Sequence, residues 1–286
     1  MKVVVTGADG RVGSAIVPEL LAHGVDVVAL TRTPWETCPV RQVALDLGDF
    51  ERVMRALDSC DGVIHCAAIG SPGDDMTPEV FRNNLLADYN IVLASGLLGI
   101  QRVVIASSDS ALGLTWSHFR PAHPRPRYLP VDEHHPDHPN EAYGISKVLS
   151  ERMADCMVER FTQMSIAHLR ITHVVDLATI AADANFQKAR QDPDAPPWNL
   201  WSYIDSRDSA QAFRLALTVP FRGHEVFCVA APNTRSRIST PELVGRYFPD
   251  VQLTRSLGGF ESLEDCGKAR RVLGFDPQHV LDNLGQ

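Results

Sequence analysis

The chain opens MKVVVTGADGRVGS, residues 1–14, and the reading of this stretch decides the fold. Val3 to Val5 form a β-branched apolar run too short for anything but a buried strand. Thr6 follows, and Gly7, Gly10 and Gly13 then fall in the order G-x-x-G-x-x-G. The amphipathic stretch from Ser14 to Leu21 predicts a helix over roughly 11–22. A strand, a glycine turn and a helix together make a phosphate site. N–H groups at the helix N-terminus carry partial positive charge and face a pyrophosphate. Gly7 permits the tight turn, Gly10 lets the backbone approach the phosphates, and Gly13 lets helix and strand pack closely. The position between a first strand and a first helix is what makes this triplet a dinucleotide motif.

Outward from that stretch, apolar strands alternate with amphipathic helices. Strands are expected near 2–6, 25–30, 41–45, 61–66, 102–106 and 165–171. Helices are expected near 11–22, 49–58, 77–97 and 141–161. Such alternation predicts an α/β fold with a doubly wound parallel sheet and right-handed crossovers. Ligands then sit beyond the carboxyl ends of the strands, where each candidate below falls.

The bulk numbers fit one such body with a smaller lobe. The 286 residues are 44% apolar and 22% charged, enough for a large core. The net charge of −8 gives no support to nucleic-acid binding. No stretch approaches the ~20 apolar residues of a membrane span. The first strand begins at Lys2, so no leader is expected ahead of it. The 6 cysteines lack C-x-x-C spacing and read as reduced thiols of a cytoplasmic protein.

The second strand ends in Thr31-Arg32, where an acidic residue usually holds the adenosine ribose. A guanidinium there binds a 2′-phosphate that a carboxylate would repel. Arg32 therefore favours NADP, with NAD the other possibility. Asp46 can accept from the adenine amino group, and Leu47 covers the ring. Asp49 is the better cap for the next helix. Ala67 and Ala68 let the cofactor ribose lie close to backbone. Asn84, inside a long helix, needs a partner and is expected to find neighbouring backbone. His65 reads as a packed strand residue.

The fifth strand ends in Ser107-Ser108-Asp109-Ser110. Tyr143 and Lys147 stand at i and i+4 on one helix face. Free tyrosine has a pKa of about 10, and a lysine ammonium beside it lowers that value. The phenolate can then take a proton from an alcohol as hydride leaves, while a serine hydroxyl orients the substrate oxygen.

At this point the chain resembles the extended short-chain dehydrogenase/reductase family, also described as NAD-dependent epimerases and dehydratases. The resemblance rests on T-G-x-x-G-x-x-G at 6–13, Asp46-Leu47, Ala67-Ala68, Asn84, Ser107-Ser108, Tyr143-x-x-x-Lys147 and Tyr203-Ile-Asp-x-Arg-Asp208. It continues through Glu242-Leu243 and the tail from Asp265 to Phe275. It implies a Rossmann domain over 1–170 and a mainly substrate-binding lobe over 171–286 that crosses back near 203–230. It implies a nicotinamide cofactor, with Tyr143 as proton carrier, Lys147 on the nicotinamide ribose and Ser108 as third member. Arg11, Val12, Ile171 and His173 are assigned to the cofactor with the glycines. Gly70, Asp109, Ser110, His173 and Trp201 are assigned to the substrate.

Within the family the chain is similar to the uronate and aldose dehydrogenases, which oxidise free sugars at C1. Nucleotide-sugar epimerases usually carry asparagine where this chain has His173. A second cationic set for their diphosphate is not evident here. A cofactor-sensing protein without catalysis is the third reading, opposed by Ser108, Tyr143 and Lys147. The resemblance also suggests a homodimer through the helices at 77–97 and 141–161.

Residues 114–140 form an insertion with 6 prolines, expected to be a lid over the cleft. Asp132-Glu133 are expected to lead into the catalytic helix. No metal site is expected from His134, His135 and His138, whose spacing lacks the tight pairs of structural zinc. Trp116, Phe119 and Tyr128 would wall the substrate pocket or anchor the loop. Trp198, Trp201 and Tyr203, beside the loop at 191–201, would stack on a sugar or be buried beneath that loop.

Overall fold

Val3, Val4 and Val5 have no exposed surface, so the first strand is covered on both faces. That requires helices on each side of a parallel sheet. The computed structural model describes residues 1–71, 76–115, 125–180, 182–192, 194–195 and 197–283. Seven strands form the main sheet: β1 (Lys2–Thr6), β2 (Asp26–Thr31), β3 (Arg41–Ala44), β4 (Gly62–His65), β5 (Arg102–Ser108), β7 (Ser165–Ile171) and β10 (Gly223–Val229). Their order is β10-β7-β5-β4-β1-β2-β3 and all pairings are parallel. Shorter pairs join β6 (Tyr128–Leu129) to β11 (Gln252–Leu253) and β8 (Val174–Val175) to β9 (Ile204–Asp205).

Helices α1 (Gly13–Ala22) and α7 (Ser206–Thr218) pack together, and α3 (Pro78–Leu97) lies along α4 (Ala142–Arg160) and against α2 (Phe50–Leu57). Two apolar cores result. One joins Val3, Val5 and Ile16 to Phe213 and Phe227. The other joins Val4, Leu30, Leu57 and Ile91 to Ile166. Of the seven strands of the main sheet, the edge strand β10 is the one that the strand pattern does not specify. It lies in the region where the chain is expected to cross back, and its first four residues are only half-buried. None of the helices described is long and apolar enough to cross a membrane.

Local chemistry sets the helix starts. Asp49 caps α2 by accepting from Arg52 N at 3.1 Å. The cap of α4 is Glu141, a residue that the sequence reading does not single out. Glu141 accepts from Tyr143 N at 2.6 Å and Gly144 N at 2.7 Å. Glu133 instead accepts from Cys228 N on β10 at 2.7 Å. A carboxylate with two N–H donors in the first turn is a strong cap, and it fixes the turn that carries Tyr143.

A third apolar cluster includes Leu112, Leu129, Leu200, Trp201, Leu243 and Phe248. Helices α5 (Leu177–Ile180), α6 (Ala184–Gln191), α8 (Thr240–Tyr247) and α9 (Gly267–Leu273) complete the chain's C-terminal half.

Candidate active site

The glycine turn is built by contact. Gly7 has φ +60°, and a Cβ on it would meet Ala67 Cα at 2.7 Å. A Cβ on Gly13 would collide with Gly7 O. Only glycine allows α1 to start this close to β1. The turn faces a cleft of about 240 Å³ lined by Gly7, Gly10, Thr31, Arg32, Asp46, Leu47, Ala67 and Ala68. Residues from the ends of four strands thus converge above one helix N-terminus, and the cradle fits a dinucleotide.

Each wall of the cleft is held in place. Arg32 donates from Nη2 to Asn83 Oδ1 at 2.9 Å, and both residues line the cleft. Gly48 N donates to Asp46 Oδ1 at 2.9 Å. Asn84 is fully buried, accepts from Ile69 N at 2.8 Å and donates to Ile69 O at 3.2 Å. It thereby pins the backbone after Ala68 to α3. Arg11 is exposed, Val12 is half-buried, and Gly70 is exposed.

The end of β5 supplies two serines with different jobs. Ser107 donates to Glu151 Oε1 at 2.6 Å, inside a buried pair of Glu151 with Arg170 at 2.7 Å. Ser107 is thus committed to the framework. Ser108 Oγ faces the other way, donates to Asp109 Oδ1 at 3.0 Å and accepts from Ser110 N at 3.1 Å. Ser108 also lies within hydrogen-bonding reach of the Tyr143 phenol. Lys147 Nζ stands 5.5 Å from the Tyr143 ring centre and donates to Ala106 O at 2.8 Å.

The electrostatics of Tyr143 differ from the simple expectation. Burial pushes its phenol up, and the net direction is upward. Lys147 and the Ser108 hydroxyl pull against that rise, while Asp109 adds to it. The lysine therefore offsets desolvation without overcoming it.

Around Asp109 lies a set of groups that the sequence motifs do not announce. Thr172 Oγ1 donates to Asp109 Oδ2 at 3.0 Å and accepts from Asn199 Nδ2 at 3.1 Å. Arg235 Nη1 donates to Asn199 Oδ1 at 2.7 Å. Burial pushes the Asp109 carboxyl up, against the hydroxyls of Ser108, Thr172 and Thr115. Glu264 is pushed up to about 8 by burial first and then by Asp109. Burial lowers His173 to about 4, with Arg235 and Arg11 adding to the effect, so the ring is a neutral imidazole near pH 7. Ile171 ends β7 opposite Ser108.

Trp201 departs from its expected role. Its side chain is 2% exposed and packs on Tyr247 and Phe248 at ring distances of 5.3 and 6.3 Å. The ring is spent on the core and leaves no face for stacking on a sugar. Tyr203 is likewise buried, its hydroxyl donating to Asn233 Oδ1 at 2.6 Å, whereas Trp198 is exposed. Tyr128 anchors its loop by donating to Asp132 Oδ1 at 2.6 Å. His135 accepts from Arg127 N at 2.9 Å and so has a loop-bracing role. Trp116 and Phe119 lie outside the described residues.

A profile of the NAD dependent epimerase/dehydratase family matches residues 3–230. The UDP-glucose 4-epimerase of Corynebacterium glutamicum is 24% identical over 98% of this chain and 92% of its own length. The L-arabinose 1-dehydrogenase (NAD(P)(+)) of Haloferax volcanii is 28% identical over 76% of this chain and 82% of its own. Among solved structures, MoeE5 in complex with UDP-glucose and NAD superposes with a TM-score of 0.73, at 25% identity, over 98% of this chain and 95% of that one.

Proposed function

Because the chain belongs to the NAD-dependent epimerase/dehydratase family, we propose that it is an NAD(P)-dependent oxidoreductase acting on a small sugar or sugar-like alcohol, of the aldose or uronate type. The observation that carries this reading is the convergence of Ser108, Tyr143 and Lys147 beside the glycine cleft. When bound, the nicotinamide supplies the hydride acceptor. Tyr143 takes the hydroxyl proton, Lys147 favours the phenolate, and Ser108 holds the substrate oxygen. Asp109 and Ser110, next to Ser108, face the substrate, with Gly70 and His173 at its margin. Gly7, Gly10, Arg11, Val12 and Gly13 hold the pyrophosphate. Asp46 and Leu47 hold the adenine end. Ala67, Ala68, Asn84 and Ile171 shape the ribose and nicotinamide end. Arg32 at the adenosine ribose supports NADP over NAD.

Residues 171–286 serve mainly as the substrate lobe in this reading. A homodimer through α3 and α4 is supported by exposed Phe81, Leu86, Tyr89 and Leu97 on α3 and Leu149 on α4. Such a concentration of large apolar side chains on one pair of helices marks an interaction face.

A second reading, nucleotide-sugar epimerisation with retained NAD, is favoured by the full-length match to an epimerase. One experiment separates the two. Purified protein is offered a panel of aldoses and uronates with NADP and with NAD, and reduced cofactor is followed by absorbance. Steady reduction with a free sugar is the expected result. Cofactor retained through gel filtration, with interconversion of a UDP-sugar and no net reduction, would establish the epimerase instead.

A further inference from the structure

Asn83 and Asn84 stand side by side in the second turn of α3, where asparagine is a poor helix former. The family motif includes Asn84 and leaves Asn83 out. Both amides are used off the helix. Asn83 Oδ1 accepts from Arg32 Nη2 at 2.9 Å, and Asn83 Nδ2 donates to Asn84 Oδ1 at 3.0 Å. Asn84 Oδ1 also accepts from Ile69 N at 2.8 Å, and Asn84 Nδ2 donates to Ile69 O at 3.2 Å. A guanidinium has donors only, so Asn83 must turn its oxygen to Arg32 and its nitrogen to Asn84. The N–H and C=O of Ile69 fix Asn84 in the same way. Each amide therefore has a single orientation. Arg32, on the cleft wall, is tied through two neutral side chains to the backbone of Ile69, which lines the same cleft.

The tie positions Arg32 without cancelling its charge. Asp9 and Asp46 also line the cleft, yet neither forms an ion pair with the guanidinium, and Asp46 Oδ1 is engaged by Gly48 N at 2.9 Å. Among the described residues Asn83 is the one hydrogen-bond partner of Arg32, so the donors on Nε and Nη1 are unspent. A carboxylate at position 83 would hold Arg32 as firmly and neutralise it. An apolar side chain there would leave the charge but release a long, flexible side chain, which then has to be ordered when a ligand binds. An amide avoids both losses.

We infer that Asn83 is a specificity-determining residue for the cofactor, a positioning residue that holds Arg32 ready for a 2′-phosphate and so favours the phosphorylated dinucleotide. The inference rests on the reading of the cleft as an NAD(P) site with Arg32 at the adenosine ribose. A fixed and uncompensated guanidinium meets a phosphate as a charge-assisted pair at little ordering cost. A plain ribose hydroxyl gains much less from the same group, so the arrangement acts on the ratio of the two affinities. Cofactor choice is then made jointly by the end of β2 and the second turn of α3.

Direct binding tests this without any substrate. NADPH and NADH are titrated into the purified protein and followed by nicotinamide fluorescence, with adenosine 2′,5′-bisphosphate and adenosine 5′-monophosphate as competitors that isolate the adenosine end. The proteins are wild type, Asn83→Ala, Asn83→Asp, Arg32→Ala and the double variant Arg32→Ala/Asn83→Ala. Wild type should bind NADPH about tenfold tighter than NADH or better. Asn83→Ala should weaken NADPH by about three- to tenfold and NADH by less than about twofold. Asn83→Asp should weaken NADPH by about tenfold or more, because a carboxylate then faces the phosphate. In the Arg32→Ala background, Asn83→Ala should add nothing, since the two residues act as one unit. The bisphosphate should follow NADPH and the monophosphate NADH. Retained NADH binding shows that the cleft is intact, and Asn83→Asp, matched in size to the native residue, keeps the test open if Asn83→Ala does not fold. Equal losses on both dinucleotides, or additive losses in the double variant, mark Asn83 as a brace for the cleft wall and overturn the inference. A wild-type preference for NADPH that neither variant moves overturns the role of Asn83 alone. Equal wild-type affinities overturn the assignment of Arg32 to a 2′-phosphate and this inference with it, and binding of neither dinucleotide overturns the cofactor reading itself.

Discussion

Ser108 Oγ donates to Asp109 Oδ1 across 3.0 Å, and Thr172 closes the second carboxylate oxygen at the same distance. The serine that would hold the substrate oxygen is thus pre-set by an adjacent negative group. Such a carboxylate orients hydroxyls and repels anions. Asp109→Asn should therefore lower kcat/KM for a neutral aldose by roughly 10- to 100-fold. It should raise the ratio of uronate to aldose turnover, since the amide keeps the shape and removes the charge. Steady-state kinetics on both sugars check this. An unchanged ratio would show that Asp109 does not face the substrate.

Tyr143 gives a pH prediction. Its proton-accepting form is the phenolate, so oxidation should rise with pH through the tyrosine's pKa. Burial sets that inflection high, and Lys147 and Ser108 draw it down. Lys147→Ala should move the inflection of log kcat/KM upward. Tyr143→Phe should cost on the order of 10²–10⁴ in kcat with cofactor affinity little changed. Turnover near wild type would remove Tyr143 from its assigned role.

The difference between what was readable in the chain and what was not has a physical cause. The glycine turn, β1 to β5, β7 and the Tyr143–Lys147 spacing are local. A β-branched run, a forced turn and an i, i+4 pair each declare themselves within a few residues. Ser108 over Ser107 came with the family resemblance, and only in the structure is Ser107 held by Glu151 while Ser108 turns to Asp109. Asn199 joins Asp109 through Thr172, Arg235 joins it through Asn199, and Glu264 feels its charge, all from segments far along the chain, and no spacing announces a meeting set by tertiary packing. Thr172 was the one accessible clue, lying one residue beyond the end of β7. Trp201 shows the opposite failure, because aromatic character fits a sugar platform and a core equally well until burial decides. The lysine's effect on Tyr143 was readable in sign, whereas the opposing burial depends on surroundings that the motif does not contain.

Arg32 tests the choice of dinucleotide. Its guanidinium is held on Asn83 at the cleft wall, and a 2′-phosphate would meet it as a charge-assisted pair. Arg32→Ala should raise KM for NADP by tenfold or more, an amount in keeping with loss of a charged contact, and change that for NAD less than about twofold. Parallel losses on both cofactors would show that the residue serves the loop and not the phosphate.

Glu264 sets a pH dependence on stability. Burial, then Asp109, raises its carboxyl to about 8 in the folded chain, against an ordinary value of 4.5. Below 4.5 both folded and unfolded chains hold the proton, and the buried acid costs nothing extra. Between these values the unfolded chain has lost the proton and the folded chain keeps it, so stability falls as pH rises. Above about 8 the folded chain carries a buried carboxylate near Asp109 and the full penalty is present. Glu264→Gln keeps the volume and has no proton to lose. Its Tm should match wild type near pH 4.5 and exceed it by several degrees at pH 8.5. Melting curves at pH 4.5, 6.5 and 8.5 measure the gap. Parallel Tm profiles for the two proteins would mean that Glu264 ionises in the folded chain as it does in the unfolded one.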